Sequence, residues 1–110
     1  MGPDHPDTLS SISLLGDLFR IQGQHERGEG YQRRAVEGRE AALGPEHPDT
    51  LKAVHRLALV LIERGMGEAA LPYCLRAVEV RIKVLGAEHK DVVESRKLLE
   101  ALKKHREGLE

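Results

Sequence analysis

A seven-residue phrase, written three times at one fixed interval, constrains this chain more than anything else in it. Gly-Pro-Asp-His-Pro-Asp-Thr occupies Gly2 to Thr8 and Gly-Pro-Glu-His-Pro-Asp-Thr occupies Gly44 to Thr50. A degraded third copy, Gly-Ala-Glu-His-Lys-Asp-Val, runs from Gly86 to Val92, so the starts lie 42 residues apart each time. Self-similarity at such a period marks a stacked array, because each unit has an apolar face that only its neighbour can cover. The agreement extends well past the phrase. Leu9 answers Leu51, Leu15 answers Leu57, Gly23 answers Gly65, Glu26 answers Glu68 and Tyr31 answers Tyr73. Arg34-Ala35-Val36-Glu37 answers Arg76-Ala77-Val78-Glu79, Arg39 answers Arg81, and Leu43 answers Leu85. A whole helix–turn–helix unit is duplicated, not a loop.

Each phrase reads as a helix start. Asp4 or His5 sits near the cap and Pro6 suits the first helical position, where a missing N–H costs nothing. Asp7 puts negative charge in the first turn, which the helix dipole favours. Leu9, Ile12, Leu15, Leu18 and Phe19 then form an apolar stripe at helical spacing up to Gly23. A second helix is expected from about Glu26 to Leu43, with Tyr31, Ala35, Val36, Ala42 and Leu43 as its apolar marks. It carries Gly28, Gly30 and Gly38, each costing roughly 1 kcal/mol against Ala inside a helix. Gly28 is expected to permit close packing on the preceding helix. Leu51, Val54, Leu57, Ala58, Leu61 and Ile62 mark a third helix from about Pro48 to Arg64. Ala69, Ala70, Tyr73, Cys74, Ala77, Val78, Ile82 and Leu85 mark a fourth, ending at Gly86 with Pro72 near its first turn. The fifth, Asp91 to about Arg106, keeps Val93, Leu98, Leu99 and Leu102. It sets Arg96, Glu100 and Lys103 where the second unit has Val54, Ala58 and Leu61. A polar outer face closes an array, and Glu107 to Glu110 are expected to fray. The expected fold is one all-α domain over residues 1–110: a repeat at 2–43, a repeat at 44–85 and a capping half-repeat at 86–107.

Several function classes fall away on composition. Net charge is −1, which gives no overall attraction to nucleic acid or to an anionic membrane. Lys103-Lys104-His105-Arg106 is the one basic cluster, and stacking aromatics make up only 3% of the chain. The apolar run Leu57 to Ile62 is far below the ~20 residues a membrane span needs. Met1 to Asp7 lacks the basic and apolar regions of a signal peptide. Cys74 is the only cysteine, so no intramolecular disulfide can form, and a cytoplasmic setting is expected. His5, His47 and His89 recur with the phrase on units about 10 Å apart. Zinc needs ligand nitrogens at ~2 Å, so these three cannot share one ion. No metal or cofactor is expected. His25, His55 and His105 lack a ligand partner at suitable spacing and read as surface or groove residues. Cys74 stands at a bulky packing position, which makes a buried structural thiol the simpler reading than a nucleophile served by His55. Gly28 and Gly30 lie inside a helix rather than after a strand, so they make no phosphate loop. Enzyme activity is not expected.

The second unit sets Val54, Leu57, Ala58, Leu61, Ala70, Cys74 and Ala77 at the spacing of a known repeat family. The first sets Ile12, Leu15, Gly16, Phe19 and Ala35, with Gly28 and Gln32 departing. With the phrase Leu-Gly-Pro-Glu-His-Pro-Asp-Thr at Leu43 to Thr50, the whole chain resembles tetratricopeptide repeats of the 42-residue kinesin-light-chain-like subtype. The resemblance implies a right-handed superhelix of antiparallel helix pairs. It also implies a protein or peptide partner held on the concave face, which the first helix of each pair lines. Carried onto this chain, that face takes Ser10, Ser13, Leu14, Asp17, Arg20 and Ile21 from the first unit. Lys52, His55, Arg56, Leu59 and Ile62 follow from the second, and Glu94, Lys97, Ala101 and Lys104 from the third. The candidate peptide-binding residues are Ser13, Asp17, Arg20, Lys52, His55, Arg56, Leu59, Lys97, Ala101 and Lys104. Ser13-Leu14 and His55-Arg56 stand where kinesin light chains carry paired Asn, and the carboxylate clamp of chaperone-binding relatives cannot be assembled. Arg20, Lys52, Arg56, Lys97 and Lys104 outnumber Asp17 and Glu94, a weak signal that would favour an acidic peptide. An ordinary solvated helix face, with some charges paired along the helix, is the simpler reading. A further reading treats the chain as a building block of a longer array, or as a unit that forms homodimers through exposed repeat ends at Leu9, Phe19 and Tyr31.

Overall fold

The computed structural model describes the backbone over residues 6–108 and side chains over residues 8–104. The first phrase, with His5, therefore lies almost wholly outside the described residues, as do the side chains of His105 and Arg106. Five helices follow one another: α1 (Pro6–Ile21), α2 (His25–Leu43), α3 (Pro48–Glu63), α4 (Gly67–Leu85) and α5 (Lys90–Gly108). Each packs on the next in order, with a lesser contact between α3 and α5. The molecule measures 48 × 34 × 19 Å, and its thin dimension matches two layers of helices ~10 Å across. Helix ends fall within two residues of the expected ones, and α5 carries its backbone past Arg106 to Gly108.

Turns of two kinds alternate, and glycine makes both possible. Gly23 and Gly65 take φ of +82° and +77° between the helices of a unit, and Gly44 and Gly86 take +93° between units. Only a residue without Cβ enters that region at low cost. The phrase itself supplies the restart. His47 Nδ1 accepts the Asp49 N–H at 3.1 Å, and His89 Nδ1 accepts the Asp91 N–H at 3.1 Å. The histidine imidazole is thus the N-cap, in the role that a Ser or Asp oxygen usually fills. Thr50 Oγ1 donates back to the Gly44 carbonyl at 2.8 Å and closes the corner. Val92 stands at the equivalent place in the third phrase and has no hydroxyl to do so.

α3 is the middle of the core. Leu51, Val54, Leu57, Ala58, Val60 and Leu61 are all at most 1% exposed. Its neighbours at either end of the stack show what each face of such a helix requires. Leu57 and Val60 are buried, as are their third-unit equivalents Leu99 and Leu102, yet Leu15 and Leu18 of α1 are 41% and 54% exposed. That register faces the second helix of a preceding unit, and no such helix precedes α1 among the described residues. The expected core role of Leu15 and Leu18 is corrected accordingly. Leu9, expected at an open end, is instead buried, and Phe19 and Tyr31 are half-buried with their rings stacked at 5.4 Å. Val93 is 41% exposed where Leu9 and Leu51 are buried, because α5 has no second helix of its own among the described residues. Arg96, Glu100 and Lys103 make the outward face of α5 polar, as expected. Ala42, expected as an apolar mark of α2, is exposed.

Between α1 and α2 the fit is made by two glycines and a glutamine. A Cβ on Gly28 would lie 3.0 Å from the Gly16 carbonyl oxygen, and one on Gly16 would lie 2.6 Å from Gln32 Nε2. Gln32 is 1% exposed where the second unit has the smaller Cys74. Gly16, at the Ala58 position, yields the space that Gln32 takes. Gly30, by contrast, has nothing within 4 Å of an added Cβ. Gly28→Ala should therefore push α1 from α2 and lower stability by about 1–3 kcal/mol. Gly30→Ala should raise stability by up to about 1 kcal/mol. Urea unfolding of both variants checks the opposite signs, and two changes of the same sign would refute this packing account.

Candidate functional site

The first helices of the units, α1, α3 and α5, present their free faces to one side, and two depressions lie there. One, of about 360 Å³, is lined by Asp17, Arg20, Lys52, His55, Arg56 and Leu59, with Arg81, Asp91 and Glu94 at its far side. The other, of about 300 Å³, is lined by Ser10, Leu14, Arg39, Asp49, Lys52, Ala53 and Arg56. Lys52 and Arg56 border both. Of the candidate residues named from sequence, the larger depression gathers Asp17, Arg20, Lys52, His55, Arg56 and Leu59. Lys97, Ala101 and Lys104 are exposed on α5 beyond its lining. Ser13 is only 1% exposed, and its carbonyl accepts the Gln32 side-chain N–H at 3.2 Å. It belongs to the α1–α2 contact rather than to the groove surface.

The larger depression is a mesh of fixed charges. Arg20 Nη1 donates to both carboxylate oxygens of Glu63, at 3.0 and 3.2 Å. Arg56 Nε lies 3.6 Å from Asp17 Oδ2, and Gln32 Nε2 donates to the other oxygen of Asp17 at 3.1 Å. His55 Nε2 lies 3.2 Å from Glu94 Oε1, and Arg81 Nη1 lies 3.8 Å from the same oxygen. Lys52, Lys97 and Lys104 pair with no described residue. Half-buried pairs of this sort add little net stability. They hold cationic side chains in place before anything binds, which lowers the ordering cost of recognition.

Sequence alone pairs Arg81 only with Arg39, and the structure places it at the far wall of the larger depression. Its side chain is 2% exposed, donating from Nη1 to the Asp91 carbonyl at 3.0 Å and to Ser95 Oγ at 2.7 Å. Burial pulls its pKa below the ordinary value, with Asp91 and Glu94 opposing. The signal that could have found it was an arginine at the same register of both second helices, on a face otherwise committed to packing. Cys74 lies elsewhere, buried in the core, and burial pushes its thiol up to about 11. A thiol so protonated near neutral pH is a poor nucleophile. No group of three His, Cys, Asp or Glu able to hold a metal occurs among the described residues. Nor is any described helix long and apolar enough to cross a membrane.

Comparison with known proteins agrees with the helical-repeat fold. A family model described as Tetratricopeptide repeat matches residues 8–49 and again 50–91. Among solved structures, the putative kinesin light chain nearly identical TPR-like repeats of Podosopora anserina superpose with a TM-score of 0.82 at 23% identity. A single-substitution variant of the same repeats gives 0.84 at 23% identity. Both alignments cover 98% of this chain and 51% of the other, so the chain spans about half the length of those structures. No curated protein sequence matches the chain.

His55 carries a consequence for acid stability. Its Nδ1 is buried with no partner, and its side chain is 13% exposed. Burial first of all lowers its pKa below the ordinary 6.5; Arg81 and Arg56 add to this, while Glu94 and Asp91 oppose it. The unfolded chain then binds the proton more readily than the folded one. Stability is unaffected above about pH 6.5 and falls as pH drops below it. His55→Gln should flatten that acid limb of a urea-midpoint-against-pH curve while leaving its shape above pH 7 unchanged. An equally steep limb in the variant would assign the loss to other groups.

Proposed function

Because the chain belongs to the tetratricopeptide repeat family, we propose that it is a non-catalytic protein–protein interaction module whose α1–α3–α5 face holds a peptide or a partner helix. Repeats of this family generally mediate protein–protein interactions. The observation that carries the reading to particular residues is the convergence of Asp17, Arg20, Lys52, His55, Arg56 and Leu59 on one open depression. Arg20 and Arg56 are positioned there by Glu63 and Asp17, and the ammonium of Lys52 has no described partner. Lys97, Ala101 and Lys104 extend the same face along α5. An acidic peptide suits it, since unpaired cations steer an anionic partner and fix its register. Lys52→Glu combined with Arg56→Glu should abolish binding to an acidic peptide library in a display experiment. Unchanged binding by the double variant would sink the acidic-ligand reading.

A second reading rests on α1. Leu15 and Leu18 are 41% and 54% exposed, and they sit where Leu57 and Val60 are buried against a preceding helix. Such a face accepts another repeat helix, whether in a longer array or from a second copy. Light scattering over a dilution series should then show self-association that Leu15→Glu with Leu18→Glu removes. A monomer at every concentration would refute the second copy as the occupant.

A further inference from the structure

The two units place an arginine at the same register, and the two side chains end in different states. Arg81 is sealed: it is 2% exposed and bonded to Ser95 Oγ at 2.7 Å and the Asp91 carbonyl at 3.0 Å. Arg39 is its equivalent one unit earlier, and the residue at the place of Ser95 is Ala53. Without that hydroxyl, Arg39 makes longer contacts, donating from Nη2 to Ser10 Oγ at 3.3 Å and standing 3.7 Å from Asp49 Oδ2. It keeps 12% of its side chain exposed, and Asp49 is 46% exposed beside it. This loosely held guanidinium lines the smaller depression together with Lys52 and Arg56.

Charge is distributed unequally between the two depressions. In the larger one the cations face Asp17, Asp91 and Glu94, and Arg20 is also taken by Glu63. In the smaller one Arg39, Lys52 and Arg56 face one lining carboxylate, Asp49, and Arg56 is also reached by Asp17 from outside the lining. The basic excess of the concave face is thus concentrated at one place. Ser10 adds a hydroxyl there, and Leu14, 61% exposed, adds an apolar wall. Guanidinium groups favour oxyanions because their N–H donors match two oxygens at once, and charge assistance strengthens each bond.

Building on the concave-face reading, we infer that this smaller depression is the subsite for one oxyanionic side chain of the bound peptide, with Arg39, Lys52 and Arg56 as its ligands and Leu14 against the neighbouring residue. The oxyanion is a carboxylate or a phosphoryl group. Arg39 comes from a second helix, and it is free to serve because Ala53 cannot lock it. The site is therefore a product of one substitution between copies rather than of the repeat as such.

The experiment uses the full chain and fluorescence anisotropy with three labelled peptides of one apolar-flanked sequence, bearing glutamate, phosphoserine or glutamine at the central position. Tighter binding of the glutamate or phosphoserine peptide than of the glutamine peptide supports the subsite, and the stronger of the two identifies the source of the oxyanion. Arg39→Gln should weaken the preferred peptide roughly tenfold, the loss of one charge-assisted hydrogen bond. Ala53→Ser tests the same point without altering charge. It recreates the Arg81–Ser95 arrangement at Arg39 and should weaken the peptide several-fold while the fold keeps or gains thermal stability. Binding that falls on Lys52→Glu with Arg56→Glu but ignores both Arg39→Gln and Ala53→Ser would overturn the subsite alone. Equal binding of the three peptides would also overturn it and leave the concave-face reading standing. Binding of none of them, at any concentration up to millimolar, would overturn both.

Discussion

No helix of this chain can cover its apolar face alone, and that need for neighbours on both sides organises everything else. The three first helices show it as a graded series. α3 has a second helix before it and another after it, and its Leu51, Val54, Leu57 and Val60 are all buried. Among the described residues α1 has only the following one and leaves Leu15 and Leu18 open, and α5 has only the preceding one and leaves Val93 open. Sequence differences track these positions. α5 has Arg96, Glu100 and Lys103 on the side where nothing covers it, whereas α1 is apolar on its uncovered side. Burial of apolar area is the largest favourable contribution to such a stack, so the two ends differ in kind. Among the described residues, one end presents a polar face and the other an apolar one.

Stacking requires that each unit restart at a fixed angle, and the repeated phrase sets it. Gly44 turns the chain at positive φ, Thr50 ties the corner shut, and His47 caps the helix that follows. Three histidines in conspicuous settings suggest a functional cluster at first sight. Their chemistry is used locally, on one orphan N–H each where the structure describes them. Much of this was legible in advance. Glycine, proline and the cap have short-range physical causes, so helix bounds and the polar outer face of α5 could be placed from sequence within a residue or two.

The rest was not legible, and for identifiable reasons. Periodicity locates an apolar stripe but is silent on whether a partner covers it, so Leu15 and Leu18 resembled Leu57 and Val60 until the neighbours were known. Ser13 sits at a groove register, yet it turns inward because Gly16 and Gly28 let α2 approach and Gln32 reaches its carbonyl. Such a fit depends on residues of two helices together and on none of them singly. Burial of Arg81 ran against the ordinary preference of arginine for water, and its partners Asp91 and Ser95 lie across a corner from it. Pairwise charge patterns along one helix could not reveal that.

Comparison of the copies separates the residues that build the corner from those that vary on the exposed face. Where the units agree, as at Gly44 and Gly86 or His47 and His89, the residues serve the corner. Where they differ on the α1–α3–α5 face, as at Lys52 against Glu94 or Ala53 against Ser95, the local charge and the freedom of nearby groups change together. Glu94 faces His55 and Arg81 and helps to close the far wall of the larger depression. Lys52, its equivalent, has no described partner and opens toward Arg39. One unit boundary is thus neutralised and locked, and the other is left cationic and loose. A fold that needs only the corner and the apolar faces tolerates either outcome. The asymmetry therefore costs the stack little and leaves a cationic position, at Arg39 and Lys52, on the α1–α3–α5 face.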